Sequence, residues 1–362
     1  MNFCFRFVCL FTTLLMATHA LSQDLSGWSD KTVCRQLLNN LDNTDYLEEG
    51  ASRSLDCASG TKNSTKNDTS TKTNNSATSS KKLLTEIKKS VDDGGILQLK
   101  ELHVLNAPHA INPVSVSDFS IIGKTSIRFE SNHGECGQEP NWNDCPNDRE
   151  RTELYHGDES WKSEKWYRFY LYLPKDYNSI APAKMSLIQW KRLDPSEVLI
   201  MFQHMHAGLT FNRNGDTFPD SYIVLKSNED LLGNWTEIVF NTNWHPDPEK
   251  GFMKVWIDKK LKVDFKGVSN TKKGNELSLR YGLYSSSMSR YKTVFQKQEM
   301  PQRIIFFDGV KEEKNCEKLV GLSECEKLNS QSINEYEIFF YGKYDKKLKT
   351  NSIKKFPLSF LK

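Results

Sequence analysis

The sequence predicts an all-β protein, an antiparallel β-sandwich with a small helical segment near its N-terminus. From residue 96 onward, many short stretches alternate apolar and polar residues, which is the pattern of strands that bury one face. Turn signals such as Arg213–Gly215 and Glu249–Gly251 separate these stretches, and few convincing helices lie between them. The stretches that we predict as strands include Ser126–Glu130, Trp166–Leu173, Val198–His206, Tyr222–Lys226, Glu237–Asn241, Phe252–Asp258, Leu277–Tyr284 and Arg303–Phe307.

The segment Arg149–Lys191 contains three alternating stretches that we expect to form neighbouring strands. Because successive side chains on a strand point to opposite faces, the segment predicts one apolar face and one polar, aromatic face. The side chains assigned to the polar face are Arg151, Glu153, Arg168, Tyr170, Tyr172, Gln189 and Lys191. Such a face suits sugar rings and carboxylates, and an ordinary solvated strand face is the alternative interpretation.

Two further strands carry candidate binding residues. In the strand predicted at Leu277–Tyr284, Arg280 and Tyr284 project from the same face. Gly282 lies between them and leaves room for a ligand to approach the backbone. In another strand, Trp256 lies opposite the buried set, either as a platform for a sugar ring or as packing on the outside of the sheet.

The first part of the chain predicts export. Residues 1–20 form a short apolar run that ends in small residues at the positions read by a signal peptidase, and the run is too short to span a bilayer comfortably. A retained N-terminal anchor is the alternative. We therefore expect a secreted or periplasmic protein that has no contact with the membrane after cleavage of the signal.

Three regions follow the predicted signal. Residues 21–57 have apolar residues at helical spacing and form a predicted small helical motif. Residues 58–82 are rich in Ser, Thr, Asn and Lys, a composition typical of a disordered linker. Residues 83–362 form the sandwich. The net charge of +3 does not indicate a nucleic-acid partner, and we expect a monomer.

The six cysteines beyond residue 20 fall into three local pairs, in which Cys34 is paired with Cys57, Cys136 with Cys145, and Cys316 with Cys325. Sequence alone does not choose among the possible pairings. Local pairing is economical because each disulfide would close one short loop, worth roughly 2–3 kcal/mol. No C-x-x-C motif is present and no histidine stands at zinc-site spacing from these cysteines, so structural disulfides are favoured and any metal site stays unknown.

Five motifs in this order resemble polysaccharide lyases, in particular the heparin-lyase-I-like and glucuronan-lyase-like group and, more distantly, alginate lyases. The motifs are RERTEL (149–154), WYRFYLYLP (166–174), SLIQWK (186–191), GFMKVWIDKK (251–260) and LRYGLY (279–284). The resemblance covers roughly residues 96–310. It implies a β-jelly roll with a concave substrate groove and β-elimination at a 4-linked uronic acid in an anionic polysaccharide. No cofactor is required by the sequence, and a structural calcium ion is left open.

The resemblance also implies roles for individual residues. Gln189 matches the glutamine that binds the substrate carboxylate, and Arg151 matches a strand arginine that Glu153 positions. Tyr284 matches the tyrosine that acts as the acid and is a candidate for the base, with Arg280 expected to lower its pKa. The residues expected to bind substrate are Glu153, Lys191, Arg149, Tyr170, Tyr172 and Trp256.

The chain departs from the relatives at one position. Where they often carry histidine two residues after the glutamine, this chain has Lys191. His204 and His206, which share a face of the next strand, are candidates for the missing base, and a core or loop position is their alternative interpretation.

Two other functions use the same fold. A non-catalytic carbohydrate-binding jelly roll would use the aromatic residues, but it would not need Gln189, Arg151 and Tyr284 together. A glycoside hydrolase would need a pair of carboxylic residues on the groove face, and no such pattern lies on the central strands.

Overall fold

The structure is a computed structural model that describes residues 102–139, 142–159, 162–192, 196–213, 221–270, 277–341 and 353–360. The predicted signal, the N-terminal helical motif and the linker lie outside these residues. The predicted disulfide between Cys34 and Cys57 lies outside them as well, so it stays a prediction. No helix in the described part of the chain is long and apolar enough to cross a membrane.

Two large antiparallel sheets dominate the described residues, which confirms the predicted all-β sandwich. The nine-stranded sheet contains, in spatial order, β1 (Leu102–Asn106), β6 (Arg149–Glu159), β15 (Leu277–Ser286), β8 (Lys184–Arg192), β9 (Glu197–Met205), β10 (Gly208–Arg213), β11 (Ser221–Lys226), β17 (Glu335–Phe340) and β18 (Lys354–Pro357). The seven-stranded sheet contains β14 (Lys260–Lys266), β13 (Phe252–Ile257), β12 (Trp235–Asn243), β7 (Glu164–Tyr172), β16 (Arg303–Glu313), β3 (Ser126–Ser131) and β2 (Val114–Ser117). A small hairpin pairs β4 (Gln138–Glu139) with β5 (Trp142–Asn143).

The remaining elements are short. They are α1 (Asn228–Leu231), α2 (Met288–Phe295), α3 (Cys316–Val320), α4 (Leu322–Asn329) and single 3-10 turns at Cys145–Asn147 and Leu358–Phe360. The predicted disulfides Cys136–Cys145 and Cys316–Cys325 are both present. The second one joins α3 to α4 on the outside of the seven-stranded sheet.

The core lies between the two sheets and is formed by the apolar faces that the alternation predicts. On β15, Leu279, Tyr281 and Leu283 are fully buried, as are alternate residues of β7. Aromatic rings join the two layers, with the Trp190 ring of β8 centred 4.8 Å from the Phe240 ring of β12. Burying a side chain of this size stabilises the fold by about 1.5–3 kcal/mol, so this layer of rings fixes which face of each strand points outward.

The prediction that β6, β7 and β8 are neighbours is wrong. β6 and β8 lie in the nine-stranded sheet on either side of β15, whereas β7 lies in the seven-stranded sheet between β12 and β16. The chain therefore crosses from one sheet to the other after β6 and returns after β7. A period of two identifies the buried face of a strand, but it carries no information about which strand lies beside it.

Candidate active site

The predicted site residues of β6, β15 and β8 meet because these three strands are adjacent in the nine-stranded sheet. Arg151 pairs with Tyr284 across β6 and β15, and Arg280 pairs with Gln189 across β15 and β8. Each pair is opposite in register and lies on the face that points away from the core. The topology thus brings together residues that are 133 and 91 positions apart in the chain.

A cleft of about 530 Å³ opens over this face. It is lined by His103, Leu105, Glu139, Trp142, Asn143, Asp144, Asn147, Arg149, Arg151, Tyr155, Lys191 and Arg280. Four of these side chains are lysine or arginine and two are carboxylic acids, so cations outnumber anions. Such a cleft favours an anionic ligand.

Arg151 is the centre of a buried network of charges. Its Nε donates to Asp144 Oδ2 at 2.7 Å, and its Nη1 donates to Glu153 Oε2 at 2.7 Å. Burial alone would lower the pKa of Arg151, but the nearby carboxylates Glu153 and Asp144 raise it above its ordinary value. This guanidinium therefore keeps its charge, and its donors are held in a fixed direction.

The loop closed by the Cys136–Cys145 disulfide supplies one side of this network. Asp144 comes from that loop and is 3% exposed, and the Trp142 ring lies 5.3 Å from the Arg151 guanidinium carbon. The disulfide holds the loop beside the start of β6, and its presence confirms the predicted pairing of Cys136 with Cys145.

Gln189 lies beneath the lining of the cleft. It is 1% exposed, and its Nε2 donates to Glu153 Oε1 at 2.6 Å. The bond reaches across β15, where Gly282 is the strand partner of Glu153. Gly282 has a φ of 133°, and a Cβ placed there would meet the Thr152 carbonyl oxygen at 2.4 Å. Glycine is therefore required at this position, because β15 and β6 approach each other too closely here for a side chain.

Tyr284 covers Arg151. The guanidinium carbon of Arg151 lies 4.1 Å from the centre of the tyrosine ring, and that of Arg149 lies at 5.9 Å. The cations that act to lower the pKa of Tyr284 are Arg151 and Arg149, rather than Arg280 as expected, and the predicted net lowering does not occur. Burial raises the pKa above its ordinary value and outweighs the opposing effect of Arg151. The phenol therefore stays protonated at neutral pH.

Arg280 and Lys191 present cations to the cleft. The Arg280 guanidinium carbon lies 5.1 Å from the Tyr155 ring centre, and its buried Nε has no hydrogen-bond partner among the described residues. Burial and the neighbouring Arg280 lower the pKa of Lys191 to about 8. Lys191 is crowded by the like charges of Arg280, Arg151 and Arg149, which an anionic ligand would relieve.

Three residues predicted to bind substrate lie on the other sheet. Tyr170 donates its hydroxyl to Glu237 at 2.8 Å, and Tyr172 packs edge-on against Phe119. Trp256 is fully buried, stacks on another tryptophan and donates its indole N–H to the Leu328 carbonyl of α4. The sugar-stacking interpretation of Trp256 is wrong and the packing interpretation is confirmed. The two tyrosines also lie apart from the cleft because β7 belongs to the seven-stranded sheet.

The two candidate histidines also lie away from the cleft. His204 is 1% exposed, its Nε2 lies 2.9 Å from Asn228 Oδ1 of α1, and its ring is 5.0 Å from that of Tyr177. It shares the buried face of Phe202, so it points toward the interior of the sandwich. His206 lies in the turn after β9 and is exposed. The structure therefore supports the core-and-loop interpretation of the pair.

Eight of the twelve residues that line the cleft were missed by the sequence analysis, among them His103, Trp142, Asp144 and Tyr155. Tyr155 lies two residues after Glu153 on β6, so the alternation places it on the same face as Arg151 and could have predicted its position. His103 lies on the edge strand β1, opposite Tyr155, and nothing in the sequence links these strands. No group of three or more His, Cys, Asp or Glu side chains converges on a metal position within the described residues.

Comparison with known proteins places the chain among enzymes that degrade polysaccharides. Residues 63–311 match the polysaccharide lyase family. An endo-β-1,4-glucuronan lyase from the fungus Trichoderma reesei is 16% identical with a TM-score of 0.46, over 63% of this chain and 96% of that one. An alginate lyase from a Chlorella virus is 11% identical with a TM-score of 0.35, over 58% of this chain and 92% of that one. No curated protein matches the chain in sequence.

Proposed function

The chain belongs to the polysaccharide lyase family, and we propose that it cleaves a polysaccharide containing 4-linked uronic acid by β-elimination. The observation that carries this proposal is the cleft on the nine-stranded sheet. Arg149, Arg151, Lys191 and Arg280 line it, and Tyr284 stands beside Arg151 on the same face.

The reaction makes three demands on such a cleft. The uronate carboxylate must be neutralised so that its C5 proton becomes acidic, a base must remove that proton, and an acid must protonate the departing O4. Each demand needs a side chain that already holds the required charge or proton before the substrate arrives.

Arg280 is the residue that we assign to the substrate carboxylate. It lines the cleft, and its Nε has no hydrogen-bond partner among the described residues, so a carboxylate can accept from it. Gln189 is already bound to Glu153 beneath the cleft. We therefore assign Gln189 the task of holding Glu153, which in turn orients Arg151.

Tyr284 is the acid in this proposal. Its raised pKa keeps the hydroxyl proton in place at neutral pH, which the departing O4 requires. The Arg151 guanidinium beneath its ring then stabilises the phenolate that forms when the proton leaves.

The test follows the product. Only a lyase leaves an unsaturated uronate, whose ultraviolet absorbance rises during digestion of alginate, glucuronan, heparin-type polysaccharide or ulvan. We expect one of these polymers to give that signal, and Arg280→Ala to lower kcat/KM on it by roughly 10²–10³-fold, as for loss of one stabilising donor. Lys266→Ala removes a charge that is 66% exposed on the other sheet and serves as the control. Binding of these polymers without unsaturated product would instead indicate a carbohydrate-binding protein.

Export is part of the same proposal. Disulfides persist in oxidising compartments, and two are present in the described residues. We expect the mature protein outside the cytoplasm, beginning after the predicted signal. N-terminal sequencing of the protein isolated from the culture medium or periplasm checks this, and an intact first residue would contradict it.

A further inference from the structure

We propose that the amine of Lys191 is the general base that removes the C5 proton of the uronate. This inference rests on the proposed lyase function and assigns the one role that the residues above leave open. It gives Lys191 a chemical role in place of the substrate-binding role expected from the sequence.

The position of Lys191 meets the geometric requirement for a base. It follows Gln189 by two residues on β8, lies on the same outward face and lines the cleft together with Arg280. Its strand partner on β15 is Ser278, a small residue that carries no charge to pair with the amine. Among the described residues, no carboxylate lies within ion-pair distance of the amine, unlike Arg151, which two carboxylates hold in place.

The charges around Lys191 favour the neutral amine that a base must be. Arg280 approaches from β15 and both Arg151 and Arg149 from β6, and only Glu153 opposes them among the groups that act on its pKa. Burial adds to the effect of these cations, because the ammonium form loses hydration in the cleft. With a pKa of about 8, a substantial fraction of Lys191 is unprotonated under mildly alkaline conditions.

Other bases fit the described site less well. Tyr284 retains its proton because its pKa is raised, and His204 faces the interior of the sandwich. His103 lines the cleft, but it lies at the sheet edge on β1, separated from β8 by β6 and β15. Lys191, by contrast, lines the cleft with Arg280 and lies on the same strand as Gln189.

The proposed step balances as follows. The neutral amine of Lys191 takes the C5 proton and becomes an ammonium ion, and the C5–H electron pair forms the C4–C5 double bond. The C4–O4 bond breaks, and O4 leaves with its electron pair and takes the hydroxyl proton of Tyr284. Lys191 then returns a proton to solvent and the Tyr284 phenolate recovers one, so the enzyme is unchanged after each turnover.

Two substitutions at Lys191 separate a base from a binding cation. Lys191→Arg keeps a permanent positive charge, so a binding role predicts that it retains activity, whereas a base role predicts a loss of kcat of roughly 10²–10⁴-fold. Lys191→His restores a base whose ordinary pKa is about 6.5. In that variant we expect activity to return in part and the rising limb of kcat/KM against pH to move to lower pH.

The matched control is Lys254→Gln. Lys254 lies on β13 of the other sheet, and its side chain is 31% exposed. The dependence of kcat/KM on pH in the Lys254→Gln variant should coincide with that of the wild type. Circular dichroism of each variant shows whether it is folded, and a KM near the wild-type value in Lys191→Arg shows that its cleft is intact.

The outcomes distinguish this inference from the proposed function. An active wild type together with an active Lys191→Arg variant overturns the base role and leaves the lyase function standing. A Lys191→His variant whose rising limb stays at the wild-type position overturns it as well. If the wild type forms no unsaturated product from any of the four polymers, the proposed function fails and this inference fails with it.

Discussion

Replacing Asp144 with alanine should expose how strongly the fold depends on the charge network under the cleft. Asp144 accepts from Arg151 Nε at 2.7 Å and from Nη2 at 3.3 Å, and both side chains are almost fully buried. The substitution leaves the positive charge of Arg151 in place and removes one of its two carboxylate partners.

The magnitude follows from that geometry. Breaking a buried ion pair by deleting one partner usually costs about 3–5 kcal/mol, because the remaining charge is desolvated without compensation. Glu153 still accepts from Arg151 Nη1 at 2.7 Å, so part of the charge stays neutralised. We therefore expect Asp144→Ala to lower the free energy of unfolding by about 3 kcal/mol, at the lower end of that range.

Urea unfolding followed by tryptophan fluorescence measures this change. The control is Glu249→Ala, which removes the partner of Lys266 in an ion pair whose side chains are 79% and 66% exposed. Exposed pairs contribute little, so the control should change stability by about 0.5 kcal/mol or less. If Asp144→Ala destabilises the protein no more than this control does, the argument from a buried, uncompensated charge is refuted.

Two further predictions concern Tyr284 and His204. Tyr284→Phe keeps the ring over Arg151 but removes the hydroxyl that donates the proton. In steady-state assays kcat should therefore fall by roughly 10²–10⁴-fold while KM stays unchanged. A turnover near that of the wild type would exclude Tyr284 as the acid. Burial lowers the pKa of His204 to about 4. Between an ordinary histidine pKa and about 4, the unfolded chain therefore binds a proton that the folded one does not, and stability falls as pH falls. Urea unfolding at pH 7 and pH 4 should show about 3 kcal/mol more acid destabilisation in the wild type than in His204→Leu; equal losses would contradict it.

Local pattern was sufficient to predict the strands and their buried faces. The alternation in Leu277–Tyr284 identified its buried residues, and the short cysteine spacings identified the two disulfides seen in the described residues. The pairing of Cys34 with Cys57 rests on the same reasoning and stays a prediction, because both cysteines lie outside the described residues. A side-chain period of two and a loop of about ten residues are local properties that a single sequence can display.

The side-chain alternation failed to predict which residues reach the cleft, because that depends on the sheet to which each strand belongs. Tyr170 and Trp256 show the same alternation as Arg151 and Gln189, yet Tyr170 bonds to Glu237 of the neighbouring strand β12 and Trp256 is covered by α4. The prediction of His204 as a base failed for a related reason. His204 lies two residues after Phe202 on β9, so it shares the face that packs into the core. Which outward face becomes a cleft is decided by long-range topology, and no periodicity records that choice.

Burial explains how one cleft can prepare both an acid and a base in the proposed mechanism. Tyrosine and lysine start from similar pKa values of about 10. The phenol is charged when it has lost its proton, whereas the amine is charged when it has gained one. Burial disfavours either charge, so it raises the pKa of Tyr284 and lowers that of Lys191. Burial thereby shifts both groups toward their neutral forms, a protonated phenol and an unprotonated amine, which are the states that elimination requires. Catalysis should accordingly rise with pH as Lys191 loses its proton and fall at higher pH as Tyr284 loses its own.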